Sequence, residues 1–111
     1  MDYDREFLTG TVGVLILSLL AERAMYGYEM VQEADRRSAS QFRMKEGTLY
    51  PALHQMERAG LLASEWRTSQ SGRARKYYSL TAKGRRHAKS KRRQWEAISA
   101  AMRTILGGAH G

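Results

Sequence analysis

The chain has 111 residues, 42% of them hydrophobic and none of them cysteine, with a formal net charge of +8. This is the size of one domain with a modest core, which gains from a partner to cover its apolar surface. It excludes a disulfide framework and a thiolate metal site, and it fits a reducing, cytoplasmic setting. The charge is unevenly spread: residues 1–57 hold six Lys/Arg against nine Asp/Glu, and residues 58–111 hold thirteen against two. No acid occurs between Arg67 and Gln94. Such asymmetry points to a polyanion on one side of the fold.

Met1–Glu6 is acidic and polar where a secretory signal would need a basic start, so no leader is expected. Phe7–Ala21 reads as a first helix, with Leu8, Val12, Leu15, Ile16, Leu19 and Leu20 on one broad face. Val14 and Leu17 carry apolar groups round to the other side, which calls for a second cover, and a second copy of the chain is expected to supply it. The run Val12–Leu20 is only nine residues long, against roughly 20 for a membrane span. A buried helix, and no membrane partner, is expected.

Tyr26–Arg37 reads as a second helix with Tyr26, Met30, Val31 and Ala34 aligned, stopped by Ser38–Ser40. A short connection, Ala39–Lys45, leads to the helix at 46–59, and the three together make a helix-turn-helix. Leu49, Ala52, Leu53 and Met56 form its apolar stripe. Gly47, Pro51, His54, Gln55 and Arg58 form a polar, mostly uncharged opposite face that suits base edges. Pro51 is tolerated in a first turn, which favours Thr48 as the N-cap over a start near Lys45 with a bend. Gly60 supplies the stop in a left-handed cap.

Leu62–Trp66 and Lys76–Leu80 alternate as two strands of a hairpin, with Gly72 permitting the turn. Leu62, Ser64 and Trp66 share one face of the first strand; Lys76, Tyr78 and Leu80 share one face of the second. The tip carries Arg67, Arg73, Arg75 and Lys76 and has little to bury, so its natural use is phosphate or minor-groove contact. Thr81 caps a last helix running to about Leu106. Its first half, Lys83–Arg93, is basic without an acid. Its second half sets Trp95, Ile98, Met102 and Ile105 on a coiled-coil-like seam, from which dimerisation through this helix and the first is expected. Gly107–Gly111 reads as a frayed end.

With these elements in place the chain resembles the PadR family of winged-helix transcriptional regulators. The matching residues are Tyr26-Gly27-Tyr28-Glu29, Gly47-Thr48-Leu49-Tyr50-Pro51-Ala52-Leu53, Glu57-Arg58-Ala59-Gly60-Leu61-Leu62, Gly72-Arg73-Ala74-Arg75-Lys76-Tyr77-Tyr78 and Leu80-Thr81-Ala82-Lys83-Gly84. They run in the family's order and spacing from Phe7 to about Leu106, and the single short terminal helix is similar to the small subfamily. Two departures stand out: Ala74 where the family often has Pro, and Lys45-Glu46 where it often has Ser-Pro.

The fold so implied is mainly α with a small β-hairpin. Residues 1–80 form a winged helix-turn-helix DNA-binding domain, and residues 81–111 a long C-terminal dimerisation helix with its tail. The resemblance implies a homodimeric repressor on a palindromic operator in double-stranded DNA, released by a small molecule. The 46–59 helix would enter the major groove and the 67–76 wing would reach flanking backbone. Thr48, Tyr50 and His54 are then expected near base edges, and Lys45, Arg58, Arg73, Arg75 and Lys76 on phosphates. By likeness to multidrug-sensing members, Trp95 with Phe7, Gly10 and Val14 would line a flat cavity for a planar aromatic effector. Lys91 and Arg92 nearby would favour an anionic or electron-rich one.

A rival reading is a basic interaction protein docking on an acidic partner or anionic surface through Lys83–Arg93, although that stretch has no apolar face to insert. An enzyme is not expected: there are no paired carboxylates in an apolar setting, and no cofactor is called for. His54 and Glu57, at i and i+3, are only two ligands and make a poor metal site.

Overall fold

The computed structural model describes residues 5–107, with side chains from Gly10 onward. Its elements in chain order are α1 (Arg5–Leu20), β1 (Met25–Tyr26), α2 (Gly27–Arg37), α3 (Glu46–Arg58), β2 (Leu62–Thr68), β3 (Ala74–Leu80) and α4 (Ala82–Leu106). The strands form one antiparallel sheet in the order β1-β3-β2. The hairpin is longer than expected and carries a third, two-residue strand that the sequence reading missed. β1 is too short to show alternation; it is a strand because Met25 and Tyr26 pair with Tyr78 and Tyr77.

The core gathers Val12 and Ile16 of α1, Met25, Met30 of α2, Leu49 and Leu53 of α3, and Tyr78 of β3, all essentially sealed from solvent. Leu17 corrects the reading of the first helix. It is buried inside this same cluster, so its cover comes from the chain itself and requires no second copy. Val14 is half-buried on the side of α1 that meets α4.

Tyr26 precedes α2 in extended backbone, and the Glu29 carboxylate accepts its N–H at 3.4 Å. Ser38 ends the helix by donating its hydroxyl to the Ala34 carbonyl at 2.7 Å and accepting the Phe42 N–H at 2.8 Å. The turn into α3 places Ala39 and Ser40 at φ 51° and 64°, a left-handed conformation that costs a side-chain-bearing residue about 1–2 kcal/mol.

The start of α3 overturns the expected cap. Lys45, not Thr48, is the N-cap, and Pro51 stands inside the helix. The Lys45 carbonyl accepts from both Thr48 and Leu49 at 3.0 Å, so the first turn is closed before Pro51 is reached. Met44 and Leu49 flank that turn and are both buried in the core, the two positions of a hydrophobic staple. Their burial outweighs the better capping side chain of Thr48. The far end follows expectation. Gly60 takes φ 81°, its N–H bonds the Glu57 carbonyl, and the Leu61 N–H bonds the Met56 carbonyl, each at 3.0 Å. This is a Schellman stop.

Thr81 caps α4 as expected, accepting the Gly84 N–H at 3.0 Å. Gly84 is buried because α4 starts hard against the chain at Leu61. Beyond its contact with α1 the helix projects from the core, and the molecule measures 56 × 30 × 23 Å.

Candidate nucleic-acid interface

The buried stripe of α3 sets its opposite face outward. Gly47, Pro51, His54, Gln55 and Arg58 are all exposed. Glu46 in the first turn and Arg58 in the last match the helix dipole, which accounts locally for the acid ahead of Gly47. Lys45 is exposed at the N-cap, and Thr48 is half-buried in the first turn. Tyr50 is placed differently from a free reader of bases. Its ring folds over Gly27, and it is half-buried beside the core cluster. Burial, together with the Glu46 charge, raises its hydroxyl pKa, keeping it a donor.

The wing has two unlike faces. Toward α3 lie Leu62, Ser64 and Trp66, in register with Leu80, Tyr78 and Lys76. Ser64 donates to Glu57 at 2.6 Å, and the Lys76 ammonium stands 3.9 Å from the same carboxylate and 5.5 Å from the Tyr78 ring centroid. Glu57 therefore ties α3 to the wing, and the residue considered as half of a metal pair serves a structural role. Among the described residues no three His, Asp or Glu converge on a metal position.

The other face is a ladder of stacked groups. Arg67 lies 4.4 Å over the Tyr77 ring, Tyr77 meets Tyr26 edge-on at 5.4 Å, and Arg75 lies 4.5 Å over Tyr26. Arg67 also donates two hydrogen bonds to Glu65, at 2.9 and 2.7 Å. Stacking holds each guanidinium plane in place while leaving edge donors for a phosphate. Arg73 sits in the turn itself, exposed, where the Ser69 N–H bonds the Arg73 carbonyl at 2.9 Å and Gly72 takes φ 84°.

Between α3 and the wing runs a groove of about 440 Å³ lined by Tyr26, Gly27, Tyr50, His54, Trp66, Ala74, Arg75, Lys76 and Tyr78. It brings together His54, Tyr50, Arg75 and Lys76 from the expected set; Lys45, Thr48, Arg58 and Arg73 lie outside its lining. Trp66 is the groove residue that sequence reasoning passed over. Alternation put it on the Leu62 face, but its 69% exposure shows only in the fold.

The second expected site lies along α1 and α4. Trp95, 43% exposed, shares a cleft of about 340 Å³ with Gly10, Thr11, Val14, Lys91, Gln94 and Ile98. It also borders a cavity of about 400 Å³ that reaches Phe42 and the end of α2. The Phe7 side chain lies outside the described residues. On the same helix Ile98, Met102, Ile105 and Leu106 are 57, 45, 72 and 74% exposed. No described helix is long and apolar enough to cross a membrane.

The sequence profile of the transcriptional regulator PadR-like family matches residues 16–90. The chain is 39% identical over 104 residues to the transcriptional regulator Rv3488 of Mycobacterium tuberculosis, covering 94% of this chain and 91% of that protein. Its fold is similar to a transcriptional regulator from Clostridium thermocellum, with a TM-score of 0.80 and 28% identity over 95% of this chain and 99% of the other. It is also similar to a PadR family transcription regulator from Clostridium difficile, with a TM-score of 0.73 and 38% identity over 86% and 98%.

Proposed function

From the premise that this chain belongs to the PadR-like family of transcriptional regulators, which are not enzymes, we propose that it is a homodimeric repressor. It binds a palindromic operator through α3 and the wing, and it releases that operator when a planar aromatic ligand enters beside Trp95. The observation that carries the reading is the exposed polar face of α3 set beside a cationic wing, with His54, Arg75 and Lys76 lining one groove.

The unpartnered seam of α4 supports the dimer. Ile98, Met102, Ile105 and Leu106 leave a strip of apolar surface that a second copy of the helix would cover. A twofold pair of reading helices then meets successive major grooves roughly 34 Å apart. Thr48 and His54 approach base edges; Lys45, Arg58, Arg73, Arg75 and Lys76 neutralise phosphates. Because Trp95 of α4 lines the cleft against α1, a ligand stacked on it changes the angle between subunits and so the spacing of the reading helices. A ~100-fold loss of operator affinity requires about 2.7 kcal/mol of coupling.

The test selects bound duplexes from a random pool and measures their affinity with and without planar aromatic anions, alongside sedimentation of the wild type and Met102→Glu. The reading expects a palindromic consensus, a wild-type dimer, a dissociated variant and weaker operator binding with ligand. A wild-type monomer at working concentration, or equal binding to all duplexes, sinks it.

A further inference from the structure

We infer that Trp66 is a DNA-contacting residue, its indole packing on the sugars of the duplex strand that runs between α3 and the wing. The inference rests on the DNA-binding reading above and adds a contact to it. Along this face of the hairpin, Leu62, Tyr78 and Leu80 are 3, 2 and 7% exposed, whereas Trp66 is 69% exposed. The base of the face is covered by the core, and its outer half is open. There the indole lines the groove that α3 forms with the wing, with His54 across from it and Lys76 directly opposite in strand register. No acidic residue lines this groove.

A broad apolar plate flanked by cations matches a polymer that alternates anionic and apolar units. A nucleic-acid strand does so, phosphate by deoxyribose. Contacts to phosphate and sugar fix a protein's position on a duplex and carry no sequence information, so the indole should add affinity on every sequence alike. It also differs from an arginine in a measurable way. A cation on phosphate releases counterions and steepens the salt dependence, whereas an apolar contact leaves the slope untouched.

Labelled duplexes, titrated at several salt concentrations against wild type, Trp66→Ala and Trp66→Phe, test this. Trp66→Ala is expected to bind every duplex about tenfold more weakly (about 1.4 kcal/mol) with an unchanged salt slope. Trp66→Phe is expected to keep most of the affinity. In Trp95→Phe, which keeps Trp66 as its one tryptophan, emission is expected to change on adding DNA. Wild-type affinity in Trp66→Ala, or an emission that DNA leaves unmoved in Trp95→Phe, overturns the contact while leaving the DNA-binding reading in place. A wild type that binds no duplex overturns both, before any variant is compared.

Discussion

The end of the Tyr50 ring occupies the space where a side chain on Gly27 would begin. A Cβ built at Gly27 would stand 2.5 Å from the Tyr50 hydroxyl oxygen and 2.8 Å from Cζ. The contact joins the first residue of α2 to the middle of α3, and so helps set the angle between the two helices. Gly27→Ala forces the ring toward the groove and is expected to destabilise the protein by about 1–3 kcal/mol. In urea melts, adding Tyr50→Leu should recover part of that loss, a coupling that independent sites would not show. At Gly84 the obstacle to a Cβ is the Leu61 carbonyl, which cannot swing aside. Gly84→Ala is therefore expected to lower the urea midpoint further than Gly27→Ala.

Thr81 holds the hinge between the wing and α4. Its hydroxyl donates to the Gly60 carbonyl at 2.6 Å and accepts the Gly84 N–H at 3.0 Å. One side chain thus joins the stop of α3 to the start of α4. Thr81→Ala is expected to cost about 1 kcal/mol and to speed amide exchange in the first turn of α4. Thr81→Ser, which keeps the hydroxyl, should behave like the wild type.

The polar face of α3 and the tip of the wing should fail in different ways. Arg73→Ala is expected to weaken binding to all duplexes and flatten the plot of log affinity against log salt by about 0.9. An unchanged slope would remove Arg73 from the phosphate contacts. His54→Ala is expected to leave the slope alone and change the preferred sequence in a selection from random duplexes.

Acid should loosen the junction of α1 and α2. Arg37 donates to Glu22 at 2.5 and 2.8 Å and bonds Glu33 at 3.0 Å. Hydrogen bonds from Arg36, and then from Arg37, hold the Glu33 carboxyl down from 4.5 to about 2. The Arg37 hydrogen bond lowers Glu22 in the same way. A depressed carboxylate stabilises the fold fully above its ordinary value. The contribution of Glu33 declines below about pH 4.5 and is lost as the pH falls through about 2. The melting temperature is expected to fall across that window, and less steeply in Arg37→Ala, which is already lower at neutral pH.

Much of this architecture can be read from local pattern. Apolar spacing located α1, α2 and α4 to within a residue or two of their ends, whereas the favoured Thr48 cap set the start of α3 three residues late. Gly60 and Thr81, whose conformational freedom and hydroxyl act on their own neighbours, marked the stop of α3 and the start of α4 correctly. The alternation of Leu62, Ser64 and Trp66, and of Lys76, Tyr78 and Leu80, showed which residues share a face of each strand, and the structure pairs those two sets with each other.

Other features depended on what meets what across the fold. β1 exists because two residues pair with β3, and no period can be seen in two residues. Lys45 became the cap of α3 because Met44 and Leu49 reached the core together, which a ranking of capping side chains does not include. Leu17 found its cover within the chain, Tyr50 turned onto Gly27, and Arg67 and Arg75 stacked on Tyr77 and Tyr26. Sequence by itself determined which residues are apolar, charged or free to turn, and hence which faces the elements have. Only the tertiary structure decided which of those faces are covered, because burial is settled by neighbours distant along the chain.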